Sequence, residues 1–330
     1  MGDHPPRTKP MYLPPFATAG VTALGLTAVA ARARARERAF EARFPPEGEI
    51  HDIDGVPVHA VVRGTGPDLV MIHGASGNSR DFTFSMMGAL SDRYRCIAID
   101  RPGMGYTGRT DPAYDDAFST RAESPAEQAA LLKATAARLG APDPLVLGQS
   151  FGGAIALAWA LQGGPRALVL VAAVAMEWPG GLGPLYPSLG SAPGGAALVP
   201  ALTAGIPETH VDHVIERTFR PQSAPPGYAA HIGGQLTLRR RSLRANFRQL
   251  NKLKPQVAEM QRRYPALDLP IEWVHGTADE TVPASIHAHP FTALVPQTNL
   301  VMLDGIGHAP HHSAEPEVIA AIDRARARAA

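Results

Sequence analysis

The run Leu145-Val146-Leu147-Gly148-Gln149-Ser150-Phe151-Gly152-Gly153 sets one serine at the apex of an abrupt reversal. Leu145 to Leu147 read as a buried strand, and Ala154-Ile155-Ala156-Leu157-Ala158-Trp159 as the start of an apolar helix. A strand that turns into a helix within about three residues has no room for side chains beside the turn, and Gly148, Gly152 and Gly153 supply that room. The turn pushes the Ser150 hydroxyl out of the sheet, where it can act as a nucleophile. A G-x-S-x-G match alone is common by chance; the strand–turn–helix context is what gives this one its meaning.

A hydroxyl is a weak nucleophile at neutral pH, so a base must take its proton and a carboxylate must orient that base. Two later segments supply candidates. Strand-like Ile271-Glu272-Trp273-Val274 runs into His275-Gly276-Thr277-Ala278-Asp279, and strand-like Leu300-Val301-Met302-Leu303 into Asp304-Gly305-Ile306-Gly307-His308. Asp279 is read as the acid and His308 as the base. Asp279 could instead cap a helix, and Glu177, just after the apolar Val174-Ala175, is a rival acid. His308 could be a surface-loop histidine. His311 and His312 read as loop surface or pocket rim rather than as a second base. No cysteine–histidine set with metal-ligand spacing occurs, and neither a metal nor a cofactor is expected.

Serine, then acid, then histidine, with G-x-S-x-G at the first, resembles the alpha/beta-hydrolase superfamily in its serine-nucleophile, esterase-like branch with a cap domain. The likeness covers roughly residues 48–320. It implies an oxyanion hole formed by the backbone N–H of Ala75, in the loop His73-Gly74-Ala75-Ser76-Gly77-Asn78, and that of Phe151. It implies a structural role for the D-x-x-G-x-G turn Asp100-Arg101-Pro102-Gly103-Met104-Gly105, and for His73 a loop-stabilising rather than a basic role. The activity implied is serine-dependent cleavage of a small to medium, apolar carboxylic ester, or of a related acyl or carbon–carbon bond, through an acyl-enzyme. Haloalkane dehalogenase and epoxide hydrolase chemistry is disfavoured, because those relatives carry aspartate where this chain has Ser150. The alternative is a non-catalytic, membrane-tethered binding or accessory protein of the same fold. Its usual mark is loss of one of the three residues, and all three are present.

The elements that must position these residues follow the expected rhythm. Glu49 to Asp54 and Val58 to Val62 read as a leading hairpin turning at Asp54-Gly55. Strands at Leu69 to Ile72, Cys96 to Ile99, Leu145 to Leu147 and Leu168 to Val171 alternate with helical segments. One of those helices opens with Ser124-Pro125 and Glu127, a capping-box pattern. Alternation of this kind predicts an α/β fold with a doubly wound, mostly parallel sheet, of the eight-stranded type in the resembled family. Ligands bind beyond the carboxyl ends of such strands, where Ser150, Asp279, His308, Ala75 and Phe151 are all expected.

The chain has 330 residues, 45% of them hydrophobic and 18% charged, which is enough for one large domain with an insertion. A formal net charge of +1 gives no general electrostatic case for nucleic acid. The single cysteine, Cys96, cannot form an internal disulfide and reads as core packing.

The expected division is a hydrolase core of residues 46–175 and 268–330, a cap of residues 176–267, and an N-terminal segment of residues 1–45. Within the cap, Pro179 to Pro207 looks irregular, while Glu208 to Phe219 and Arg239 to Arg263 look helical. Leu182, Leu185, Tyr186, Phe219 and Tyr228 are candidates for the pocket lining or the cap's own core. Arg239, Arg240, Arg241, Arg244 and Arg248 read as a solvated helix face, with an anionic substrate or a membrane surface as the alternative. Met11 to Ala31 is a run of 21 residues without a charge, followed by Arg32, Arg34, Arg36 and Arg38. It is read as a membrane anchor and implies membrane association. An export signal cleaved near Ala28-Val29-Ala30, or a cytoplasmic chain with a surface-lying helix, are the alternatives.

Overall fold

Eight strands form one sheet in the order β1-β2-β4-β3-β5-β6-β7-β8. They are β1 (Glu49–Ile53), β2 (Val56–Arg63), β3 (Asp68–Ile72), β4 (Arg95–Ile99), β5 (Leu145–Gln149), β6 (Ala167–Val171), β7 (Ile271–Gly276) and β8 (Thr298–Leu303). The computed structural model describes the backbone of residues 15–330 and the side chains of residues 25–330. The β1–β2 and β2–β4 pairs are antiparallel, and every pair from β4 through β3, β5, β6 and β7 to β8 is parallel.

Sequence and position agree. β5, β6 and β7 are buried at every residue, as central parallel strands must be when helices cover both faces. The helix Phe151–Leu161 packs on one face in a core that includes Val146, Leu168, Trp159 and Trp273. The helix Glu315–Arg328 packs on the other, with Val318 and Ile322 against Met71, Val169 and Val274. The capping box at Ser124 is formed: Ser124 Oγ accepts from the Glu127 N–H, and Glu127 accepts from the Ser124 N–H. The leading hairpin turns where expected, with Asp54 and Gly55 both at positive φ.

Between β6 and β7 the chain leaves the sheet and becomes helical. The stretch expected to be irregular carries the helices Leu185–Gly190 and Val199–Gly205, followed by Glu208–Phe219 and the long Arg240–Met260.

The arginine run at the start of that long helix is not a solvated face. Arg240 forms a two-pronged pair with Glu37 at 2.8 and 2.7 Å, and Arg239 reaches Glu41 at 3.0 Å. Arg248 is buried and donates to the carbonyls of Tyr114, Asp116 and Ala117. Arg241 pairs with Asp115, and Arg244 donates to the Gly195 carbonyl. These arginines clasp the helical region between β6 and β7 to its neighbours.

The N-terminal expectation needs correcting. Residues 11–14 of the uncharged run lie outside the described residues, and the rest belongs to one helix, Pro15–Arg43, that runs on through the arginines. Among the described residues no helix is long and apolar enough to cross a membrane. Two of the four arginines read as flanking an anchor make docking contacts: Arg32 donates to the Ala204 carbonyl, and Arg36 to those of Thr203 and Ile206, while Arg34 and Arg38 are exposed. Phe40 and Phe44 bury against Val211, Leu236 and Leu238.

The turn at Ser150 packs closely against β3. A Cβ on Gly152 would lie 2.2 Å from the Ile72 carbonyl oxygen at the end of β3. Gly152→Ala is therefore expected to cost about 1–3 kcal/mol of unfolding free energy by overpacking, read by urea denaturation; an unchanged midpoint would show that β3 and the turn can separate freely.

Candidate active site

Ser150 is the residue between β5 and the helix Phe151–Leu161. Its φ is +52° and ψ −117°, a region L residues avoid and one that stores about 1–3 kcal/mol of strain. Three backbone hydrogen bonds hold it there. The Ser150 N–H donates to Val171 at the end of β6, and the Ser150 carbonyl accepts from Gly153 and Val174, each at 3.0 Å. The side chain stands clear of the sheet as expected, and is only 8% exposed.

His308 Nε2 lies 2.9 Å from Ser150 Oγ, and His308 Nδ1 lies 2.8 Å from Asp279 Oδ2. The structure thus brings together the three residues singled out from the sequence. Glu177, the rival acid, is exposed, while Asp279 occupies the position beside the imidazole. Asp279 Oδ1 also accepts from the Thr281 and Val282 N–H groups at 2.9 Å each. Burial opposes ionisation, but hydrogen bonds from His275 and His308, the His308 charge and the Val282 amide hold the Asp279 carboxyl well below the usual range.

One contributor was missed in the sequence. His275, at the end of β7, is fully buried with its Nε2 3.3 Å from Asp279 Oδ2 and 2.8 Å from the Val282 carbonyl. The Trp273 indole donates to His275 Nδ1 at 3.0 Å. An indole N–H is a donor only, so the His275 proton sits on Nε2 and points at the acid side. A polar line therefore runs from Trp273 to His275, whose Nε2 also lies beside Asp279, and a hydrogen-bonded one from Asp279 through His308 to Ser150. In the sequence Trp273 is only part of a strand-like run; its tautomer-setting role is visible only in three dimensions.

Phe151 follows the serine directly, and Ala75 lies in the loop after β3. Phe151 begins its helix, so its N–H has no intrahelical partner. Ala75 follows Gly74, whose added Cβ would meet Gln149 Oε1 at 2.3 Å and Ser150 Cβ at 3.1 Å, so the loop backbone lies directly against the nucleophile. The next residue, Ser76, ties the loop to the helical region between β6 and β7: its N–H donates to Asn246, and its carbonyl accepts from Thr237.

His73 and the D-x-x-G-x-G turn brace this loop from below. The Arg101 N–H donates to His73 Nε2 at 3.0 Å, so the His73 proton is on Nδ1, which donates to the Gly74 carbonyl at 2.9 Å. Asp100 accepts from the Ser79 and Tyr106 N–H groups and pairs with His59. Both are structural, as the sequence suggested.

His311 and His312 are not at the surface. Both are buried with Nε2 on Asp81, at 3.2 and 2.8 Å, and the Tyr228 hydroxyl donates to the same carboxylate at 2.7 Å. These are the His and carboxylate groups, among the described residues, close enough to share an ion. Each imidazole already directs Nε2 to the carboxylate, and neither Nδ1 has an acceptor. A metal taken at Nε2 would move a proton to a buried, partnerless Nδ1, so the cluster fits a hydrogen-bonded brace better than a metal site.

This brace forms part of the wall of a cavity of about 120 Å³ that begins at Gly74, Ala75 and Gln149 and is lined by Val214, Ile215, Phe219, Tyr228 and Ile232. Of the candidate lining residues, Phe219 and Tyr228 are here. Leu182 instead lines a separate surface groove, and Leu185 is exposed.

A model of the alpha/beta hydrolase family matches residues 69–322, and the chain belongs to that family. Polyketide synthase ThaQ of Burkholderia thailandensis is 31% identical over 304 residues, covering 88% of this chain and 14% of that protein. Haloalkane dehalogenase 2 of Mycobacterium tuberculosis is 29% identical over 137 residues, 41% of this chain and 44% of the relative. The chain thus spans less than half the length of either. An esterase structure from Rhodococcus sp. ECU1013 shares the fold at a TM-score of 0.62 and 22% identity, covering 85% of this chain and 98% of that one. The eight-stranded, mostly parallel sheet is that of the family, and the family supports hydrolase chemistry.

Acid should loosen the site. Burial, then the neighbouring Arg101 charge, push His73 from its ordinary 6.5 down to about 4. Burial, then the His275 charge, push His287 the same way, to about 4. As pH falls the unfolded chain takes up these protons first, so the contribution is fully present above 6.5 and lost progressively down to about 4. Urea unfolding is expected to show stability falling across that window, with a shallower fall in His73→Asn. An equal slope in the variant would remove His73 from the account.

Proposed function

We propose that this chain is a serine hydrolase of carboxylesterase type, cleaving small to medium esters through an acyl-enzyme. The observation that carries the reading is the continuous hydrogen-bond line Asp279–His308–Ser150, aimed at a turn whose strain has a use only if the hydroxyl must stand free. In this reading His308 Nε2 takes the Ser150 proton as Oγ attacks the substrate carbonyl. Asp279 orients the ring and stabilises the imidazolium. The Ala75 and Phe151 N–H groups hold the oxyanion, typically worth a few kcal/mol per donor. His308 then protonates the leaving alcohol, and water releases the acyl group with His308 again as base.

Residues 176–267 would serve as the cap. Its helix Glu208–Phe219 and Tyr228 close one side of the cavity that opens at Ala75. An apolar space of about 120 Å³ beside the proposed oxyanion hole suits a short acyl group better than a long chain. The polyketide synthase and dehalogenase relatives share the family but leave the bond cleaved to experiment.

Ser150→Ala is expected to lower ester turnover by at least about 10³-fold, and Asp279→Asn by about 10⁴-fold through the wrong His308 tautomer. Glu177→Gln should leave turnover within about twofold, since an exposed carboxylate off the imidazole supplies none of this stabilisation. Loss in Glu177→Gln but not in Asp279→Asn would reassign the acid. A p-nitrophenyl ester series should peak at about two to six acyl carbons. A peak at long chains would mean the cavity is not the acyl site.

A further inference from the structure

We propose that Arg101 is a positioning residue of this site, one that aims the Ala75 N–H and backs both oxyanion donors with a buried positive charge. This rests on the reading of Ser150, Ala75 and Phe151 just given. Arg101 is 0% exposed. Its Nη2 donates to the Gly74 carbonyl at 3.0 Å, and its Nη1 to Gln128 Oε1 at 3.1 Å and Gln249 Oε1 at 3.2 Å. Its guanidinium carbon stands 4.4 Å from the centre of the Phe151 ring.

Two features bear on this role. The first is that every direct partner is neutral. The two carboxylates close enough to favour its charge are each held by another partner: Glu123 by Arg109 in a two-pronged pair at 2.7 Å, and Asp100 by His59. Burying a cation with neutral partners is costly. It is useful where a negative charge will arise nearby, as on a tetrahedral intermediate, and costs nothing further in reorganisation at that moment.

The second is the peptide it grips. The Gly74 carbonyl and the Ala75 N–H belong to one planar trans unit and point in opposite directions. Arg101, His73 Nδ1 at 2.9 Å and the Gly77 N–H at 3.4 Å all donate to that carbonyl. Fixing the oxygen on one side fixes the N–H on the other, and a cation on the oxygen strengthens the N–H as a donor. The same guanidinium lies over Phe151, whose N–H is the second donor. One side chain therefore touches both halves of the proposed oxyanion hole without reaching the substrate.

The test uses the full chain with a p-nitrophenyl ester, a fluorophosphonate and an alkyl boronic acid that forms a tetrahedral adduct on the serine. Arg101→Met is expected to lower kcat about 10- to 100-fold with KM within about threefold. Fluorophosphonate inactivation should slow, and boronate affinity fall, by a similar factor, while affinity for the product carboxylate holds. Arg101→Lys, which keeps the charge but not the fork, should recover part of the loss. A merely structural role would lower activity through folded fraction, leaving the boronate-to-carboxylate affinity ratio unchanged. Folded Arg101→Met with wild-type kcat and boronate affinity overturns the proposal. If Arg101→Met does not fold, Gln249→Leu removes one acceptor that aims the guanidinium; an about three- to tenfold fall in kcat alone supports the proposal, and none overturns it. A wild type that takes no fluorophosphonate overturns the Ser150 reading and this inference with it, whereas a labelled wild type with an unaltered Arg101→Met overturns this inference alone.

Discussion

Every chemical feature of this chain depends on Ser150 keeping a backbone conformation that serine does not prefer. With φ at +52°, the residue is held by hydrogen bonds to Val171, Gly153 and Val174, and by the close approach of Gly152 to the end of β3. The strain is small beside the burial of β5, β6 and the apolar helix that follows, so the core imposes the turn rather than the reverse. Because β3 and β5 are paired neighbours, the same packing brings the Gly74–Ala75 loop against the serine. The position of the loop and the exposure of the hydroxyl thus have one cause.

The electrostatics are arranged from two ends. On one side Trp273 sets the His275 proton, His275 and two amides hold Asp279 ionised, and Asp279 faces His308. On the other, Arg101 sits buried among neutral partners beneath Gly74 and Phe151. Burial strengthens each interaction, because little water intervenes to screen it. The site is also coupled to the helical region between β6 and β7, since Asn246 and Thr237 hold Ser76 in the loop after β3. Movement of that region would therefore be felt in the loop backbone.

The parts of the fold legible in the sequence were those written in local patterns. The G-x-S-x-G turn, the strand ends carrying Asp279 and His308, the Asp54-Gly55 hairpin and the Ser124 capping box each depend on residues a few positions apart. What escaped depended on partners far along the chain. Arg101 looked like part of a glycine-rich turn, because Gln249 and Gly74 are invisible from its neighbourhood. His311 and His312 read as loop surface or pocket rim; they do line the cavity, but the Asp81 that holds them lies more than two hundred positions away and nothing local announces it. The arginines of the long helix read as solvated because Glu37 and Glu41 belong to a helix read as an anchor and linker. The uncharged N-terminal run misled for a related reason: lack of charge was visible, but docking of Arg32, Arg36, Phe40 and Phe44 was not. In each case the pattern gave the residue's chemistry and the long-range contact decided its use.

The most direct test of the central claim is the intact mass of the purified chain after brief exposure to a fluorophosphonate, beside Ser150→Ala and His308→Ala. The account predicts one adduct per chain on the wild type, none on Ser150→Ala and strongly slowed labelling of His308→Ala, with peptide mapping locating the adduct at Ser150. A folded wild type that stays unlabelled, or an adduct that persists in Ser150→Ala, would contradict it.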